Sequence, residues 1–282
     1  MLGLYISLGV IALLLPVWLF LIGAVHDKRM DKYRGVYFAH RGLHGSLDIY
    51  PDAAPENSLK AFARAVEQGY GIELDVRLTS DGELVVFHDD TLTRVTGVDR
   101  KVRELTLAEL RELSLLGTEE RIPLFSEVLE LVDGKVPLLV EIKEDGTDLT
   151  TARQAVKTLE SYRGDYIIES FNPLSLGAVK KANPTVLRGF LCDKLTAQEA
   201  YRSIKYRVVQ RHLLNFIARP SFIASNFKTS RMLPIPVIRA LFRPAFVAWT
   251  IRSAEEEREA ASRGFTTMIF EGYIPDREPS DK

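Results

Sequence analysis

Hydrophobic and polar positions divide the chain into two unequal parts. Residues 1–25 carry no charged side chain, and LGLYISLGVIALLLPVWLFLIGAV is almost wholly apolar. A helix crossing a hydrocarbon core needs about 20 such residues. A cleaved secretory signal would open on basic residues and close on a small-x-small site, and neither is present. The segment is therefore expected to be a single retained transmembrane helix. Beyond it, short β-branched or aromatic runs alternate with helix-period stretches. The strands expected are 36–39, 72–76, 84–87, 138–142, 166–170, 186–191, 222–225, 246–250 and 267–270. The helices expected between them are 58–68, 125–132, 150–162, 173–182, 197–216 and 254–263.

Near-continuous apolar strands separated by helices predict a parallel sheet covered on both faces. Nine strands is one more than an eight-stranded barrel holds. Only 77–83 separates the second run from the third, too little for a helical crossover, and it contains Asp81-Gly82, a hairpin turn. The third run is then the return arm of a hairpin. A two-residue turn at Asp81-Gly82 would set Asp75 opposite His88. The other eight runs predict a (β/α)8 barrel, about 250 residues in its usual form. An open doubly wound sheet needs a Gly-rich turn after the first strand, and His40-Arg41-Gly42 is not one. The domains expected are the anchor 1–25, a basic linker 26–34 and the barrel 35–282.

Composition adds little until it is divided. The chain has 282 residues, 46% hydrophobic and 27% charged, with a net charge of −1 and one cysteine. These values exclude a mainly disordered chain and an internal disulfide. The small net charge is a cancellation. Residues 35–199 carry −9, whereas 200–254 carry ten basic side chains and no acid. Basic residues beside a span tend to stay cytoplasmic. Lys28, Arg29, Lys32 and Arg34 therefore predict a single-pass membrane protein with its catalytic domain in the cytoplasm.

Barrel enzymes carry their chemistry at the C-terminal ends of the strands. Glu73 and Asp75, two apart on one strand, project from one face. Their repulsion is relieved by one divalent metal ion with oxygen ligands, Mg²⁺ or Ca²⁺, and Glu141 is a natural third ligand. A salt-bridge network with Arg41 and Lys143 would also satisfy the acids, but would explain neither His40 nor His88. The two histidines suit general acid and base roles. Arg41 and Lys143 suit phosphate oxygens. Acids, a metal, two histidines and two cations together suggest metal-assisted phosphodiester hydrolysis.

The run Ala39-His40-Arg41-Gly42, then Pro55-Glu56-Asn57-Ser58, Glu73-Leu74-Asp75-Val76, His88-Asp89 and Glu141-Ile142-Lys143 resembles the glycerophosphodiester phosphodiesterase family, and Ser170-Phe171 and Trp249-Thr250 continue the match. The resemblance spans roughly residues 36–276. It implies a TIM barrel, a divalent metal at Glu73, Asp75 and Glu141, His40 and His88 as acid and base, and phosphate binding by Arg41 and Lys143. It also implies cleavage of glycerophosphodiesters to glycerol 3-phosphate and an alcohol, or lysophospholipase D action in some relatives. Glu56 and Asn57 either enter the site or merely precede a helix capped by Ser58. Trp249 either borders the substrate or packs the barrel. Arg252 and Glu271 depart from the family's usual residues and bring charge to the barrel mouth.

The non-enzymatic alternative is a catalytically silent, membrane-tethered binding module. The acid-free block 200–254 is read as a second surface facing anionic lipid, because apolar Tyr201, Ile204, Val208, Leu213 and Phe216 recur at helical spacing among basic residues. No nucleic-acid motif accompanies the charge, so nucleic acid is not an expected partner.

Overall fold

The computed structural model describes residues 2–47, 49–144, 146–193 and 203–276. Its strands in chain order are β1 (Tyr37–Ala39), β2 (Gly45–Leu47), β3 (Tyr50–Ala54), β4 (Gly71–Leu78), β5 (Leu84–Val86), β6 (Leu138–Ile142), β7 (Tyr166–Ser170), β8 (Arg188–Cys192), β9 (Phe222–Ser225), β10 (Ala245–Ile251) and β11 (Thr267–Phe270). Eight of them, β1, β4 and β6 to β11, pair in parallel, and β1 joins both β4 and β11 to close the ring. This is the (β/α)8 barrel that the alternation predicts.

Side chains alternate across each strand, so one sequence feeds two cores. Ile72, Leu74, Val76, Leu138, Val140, Ile142, Ile168, Ile223 and Ala248 pack outward against the helices. Phe38, Leu139, Ile167, Leu187, Leu191, Phe222, Ala224, Val247 and Ile269 fill the barrel's interior. The helices begin where the sequence supplies caps. Ser58 Oγ accepts from the Ala61 amide before Leu59–Glu67, and Asn172 caps Pro173–Ala182 with proline at its first turn.

The hairpin forms, but with a different turn. The Thr79 amide donates to the Glu83 carbonyl, which leaves Ser80, Asp81 and Gly82 as a three-residue loop, with Gly82 at φ +86°. A three-residue loop ending in a left-handed residue is the next commonest hairpin. The register shifts by one. Val76 pairs with Val86, and the Phe87 amide donates to the Asp75 carbonyl. Phe87, not His88, therefore faces Asp75, and His88 lies just beyond the ladder.

Two features lie outside the elements expected from the alternation. β2 and β3 form an antiparallel ribbon beside the mouth. Between β5 and the helix Phe125–Val132, short helices Thr93–Thr96 and Leu107–Arg111 enclose their own small core around Val85, Phe87, Leu92, Val95 and Leu110.

The expected linker is part of the barrel. Lys28–Tyr33 is a 3₁₀ helix capped by Asp27, and its Met30 and Tyr33 join the interior cluster, with Tyr33 only 2% exposed. Arg29, Lys32 and Arg34 pair with Asp27, Asp165 and Asp31. A helix does form at Leu2–Leu21. Among the described residues, no helix is long and apolar enough to cross a membrane. Of the expected anchor, Met1 lies outside them, and of residues 2–11 only the backbone is described.

The expected amphipathic helix 197–216 is broken. Helices run Ile204–Gln210 and Asn215–Ala218, and His212 between them takes a φ of +56°. Tyr201 and Arg202 lie outside the described residues.

Candidate active site

Inward-facing positions at the strand ends build the site. Asp75 pairs with Glu141 and Glu141 with Glu169, so three acids stand in one row across β4, β6 and β7. Glu73 lies on the same face, two residues below Asp75. All four are buried. Glu73, Glu141 and Glu169 converge, with one oxygen from each within 4.8 Å of the others.

Asp75 is held differently. Asn57 Nδ2 donates to its Oδ2 at 2.8 Å, Arg41 Nε lies 3.5 Å from Oδ2, and Lys143 Nζ lies 3.2 Å from Oδ1. Lys143 Nζ also sits 2.7 Å from Glu141 Oε1. Burial would raise the Asp75 pKa, but Lys143, His88 and Arg41 outweigh it and hold the carboxyl well below its usual range. Burial together with the neighbouring acids raises Glu73 and Glu169 well above theirs. Burial also raises Glu141, against the pull of Lys143.

Arg41 and Lys143 do neutralise Asp75 and part of Glu141. Glu73 receives the Arg41 backbone amide at 3.0 Å, and Glu169 Oε2 is buried without a hydrogen-bond partner. The acids outnumber the cations placed against them, and oxygen-only donors suit a hard divalent ion.

Both histidines are held alike. His40 Nδ1 lies 2.9 Å from Glu271 Oε2, and His88 Nδ1 lies 2.6 Å from Asp89 Oδ1. A carboxylate at Nδ1 favours the proton there and leaves Nε2 free for chemistry. His40 Nε2 points to the acids, 4.0 Å from Glu73. Burial lowers both histidines, His88 to about 4, so both imidazoles are neutral near pH 7. The bond to His40 pulls Glu271 down to about 2.

A chain of ion pairs joins the two sides. Arg41 Nη1 donates to Glu56 at 2.9 Å, Arg94 donates to Glu56 at 2.6 and 2.8 Å, and Arg94 Nε donates to Asp89 at 2.6 Å. Glu56 therefore aligns Arg41, and Asn57 aligns Asp75. Asn57 and Arg41 both sit at φ +54°, locked by the Asn57 amide donating to the Arg41 carbonyl. Trp249 stands edge-on to Phe171 at 5.8 Å, and Lys143 Nζ lies 5.9 Å from the centre of the Phe171 ring, so the indole borders the mouth.

Every site residue expected from the sequence thus gathers at one end of the barrel. Four more belong with them. Asp89, Arg94 and Glu271 position the histidines, and Glu169 joins the acids. Glu169 could have been found, because Asp75, Glu141 and Glu169 stand at equivalent heights of neighbouring strands. Glu271 is the residue whose charge looked foreign to the pocket; instead it anchors His40, and Arg252 pairs with it at 3.1 Å.

Fold and site together define a barrel hydrolase type, with buried acids ready for a cation and two oriented imidazoles beside fixed positive charge. The chain belongs to the Glycerophosphoryl diester phosphodiesterase family, whose profile matches residues 40–272. A glycerophosphodiester phosphodiesterase of Caldanaerobacter subterraneus is 36% identical over 197 residues, covering 66% of this chain and 78% of that protein. A human lysophospholipase D is 31% identical over 132 residues, 42% of this chain and 40% of that protein. The solved structure of an Oleispira antarctica phosphodiesterase with the product sn-glycerol-3-phosphate superposes with a TM-score of 0.69 at 25% identity, covering 86% of this chain and 94% of that one.

Proposed function

We propose that the protein hydrolyses glycerophosphodiesters to glycerol 3-phosphate and an alcohol, with His40 and His88 as acid and base. The observation that carries this reading is the matched pair of imidazoles, each with Nδ1 on a carboxylate, flanking buried acids and two cations. Glu73, Asp75 and Glu141 would hold a divalent ion, which when bound would supply Lewis-acid stabilisation of the phosphoryl oxygens. Arg41 and Lys143 bind the anionic phosphate and steady the charge that grows on it. One imidazole takes the proton of the attacking oxygen, which is either water or a substrate hydroxyl whose cyclic phosphodiester product water then opens, and the adjacent Glu271 or Asp89 carboxylate stabilises the imidazolium formed. The other, protonated as the phosphate anion docks, delivers its proton to the departing alkoxide. Such proton transfers contribute about 10²–10⁴-fold each. His40→Ala and His88→Ala should each lower kcat on glycerophosphocholine by at least that range while keeping the wild-type melting temperature. Near-wild-type turnover in either variant rejects the mechanism.

The second reading is lysophospholipase D activity at a membrane. Supporting it, Leu13, Leu14, Val17 and Phe20 on the N-terminal helix are 71%, 58%, 52% and 54% exposed, a poor arrangement in water. We read this helix as the start of a single-pass anchor with the barrel on the cytoplasmic side. Arg211, Arg231 and Arg243, exposed in the basic block, remain available to anionic lipid. Alkaline carbonate extraction of membranes from expressing cells should leave the full chain in the pellet. Release into the supernatant contradicts the anchor.

A further inference from the structure

We infer that Glu169 is a further carboxylate ligand of the divalent cation and that it tilts the site toward Ca²⁺. This rests on the metal reading above and adds to it a residue outside the Glu73–Asp75–Glu141 set.

Glu169 is 1% exposed, and its Oε2 has no hydrogen-bond partner. A buried carboxylate without partners is costly and calls for compensation. Among the described residues, no side-chain cation is placed to supply it. Along the strand row, Glu141 stands on one side and Gly189 on the other. The Phe222 ring fills the space a Gly189 side chain would take, 1.9 Å from where its Cβ would sit. The nearest ammonium, Lys143, is already placed between Asp75 and Glu141. The histidines are committed to Glu271 and Asp89 at their Nδ1 atoms. Without a cation, burial and the neighbouring acids push Glu169 toward its protonated form, and a cation from solution is the compensation that keeps the carboxylate charged.

The oxygen spacing agrees. Oxygens bound to one Ca²⁺ at about 2.4 Å can lie no more than about 4.8 Å apart. Glu73, Glu141 and Glu169 meet that limit mutually. Asp75 oxygens, by contrast, already face Asn57, Arg41 and Lys143. Glu169 therefore extends the set at its Glu73–Glu141 side, while Asp75 Oδ1, which makes no hydrogen bond, remains a ligand from the Lys143 side. Several carboxylates in one cluster favour Ca²⁺, which accepts six to eight oxygens, over Mg²⁺, which keeps its waters and takes one or two carboxylates.

The test is calorimetric titration of metal-stripped, full-length protein with CaCl₂ and with MgCl₂. The proteins compared are wild type, Glu169→Gln, Glu169→Asp and Glu141→Gln. The expected result is one Ca²⁺ site in wild type, at least tenfold weaker Ca²⁺ binding in Glu169→Gln, and a smaller loss for Mg²⁺. Glu169→Gln removes one of several crowded like charges, so its metal-free melting temperature should match or exceed wild type. If it does not fold, Glu169→Asp decides, with weakened Ca²⁺ binding expected from the shorter side chain. Ca²⁺ affinity within twofold of wild type in the folded Glu169 variant overturns the inference, whereas Glu141→Gln still losing the ion leaves the metal reading standing. Equal losses for both ions keep the ligand and overturn the Ca²⁺ preference. Wild type that binds neither ion overturns both readings.

Discussion

His40 and His88 reach the site from different strands, yet each meets a carboxylate at Nδ1, and His40 Nε2 also lies 4.0 Å from Glu73. Glu56 matters to both because it ties Arg41 to Arg94, and Arg94 grips the carboxylate that holds His88. The sequence made the reacting groups legible because they end strands. It did not reveal Asp89, Arg94 and Glu271 as positioning residues, since their partners are set by three-dimensional approach. His212 is a histidine of another kind. It is 1% exposed, edge-on to Phe190 at 5.1 Å, and burial pushes its pKa down to about 4. Unfolded, it titrates near 6.5, so between pH 4 and 6.5 the unfolded chain binds the extra proton. Stability from this group is therefore full above about pH 6.5 and is lost as pH falls toward 4, by ~2 kcal/mol at pH 5. Urea denaturation at pH 7.5 and pH 5 should show a loss smaller by about that amount in His212→Asn, whose side chain tolerates positive φ. An unchanged pH dependence removes His212 as its source.

Strand positions and most helix bounds follow from the alternation, because burial on both strand faces leaves a continuous apolar signal. Register did not follow. Asp81-Gly82 marks a turn, but Thr79 and Glu83 close it, and a shift of one residue moves His88 off the position facing Asp75. The 88–124 insertion was illegible because its helices are short and its core is local. The first strand's exit is the most constrained segment. Gly42 has φ +80°, and a Cβ there would stand 2.8 Å from the Ala61 carbonyl carbon. The Leu43 amide donates to the Ala61 carbonyl at 3.0 Å, so the helix end cannot retreat cheaply. Gly42→Ala should therefore displace Arg41 and His40, cutting kcat at least tenfold at a stability cost of about 1–2 kcal/mol. Steady-state kinetics with a melting curve check both, and wild-type kcat would mean the loop has slack.

Charge and chain ends acquire meaning in the whole molecule. The acidic stretch supplies the mouth, and part of the basic block is spent inside the fold. Lys228 pairs with Glu256, Arg252 with Glu271, and Arg239 lies over the Phe246 ring at 3.8 Å. Residues 28–33 close the barrel opposite the site, which the run of basic residues hid by resembling a membrane-proximal linker. Tyr33→Ala should cost about 3–5 kcal/mol in chemical denaturation, as for other large buried aromatics. A loss below 1 kcal/mol would return the segment to a linker. Cation-dependent acid–base cleavage of glycerophosphodiesters by this barrel is the proposal on which the roles of its residues depend. Its most direct test follows purified full-length protein by phosphorus NMR on glycerophosphocholine and lysophosphatidylcholine side by side, with Ca²⁺, Mg²⁺ or excess EDTA. Glycerol 3-phosphate is expected from glycerophosphocholine with a divalent ion, and none in EDTA. No glycerol 3-phosphate under any condition, or turnover that persists in EDTA, would contradict it.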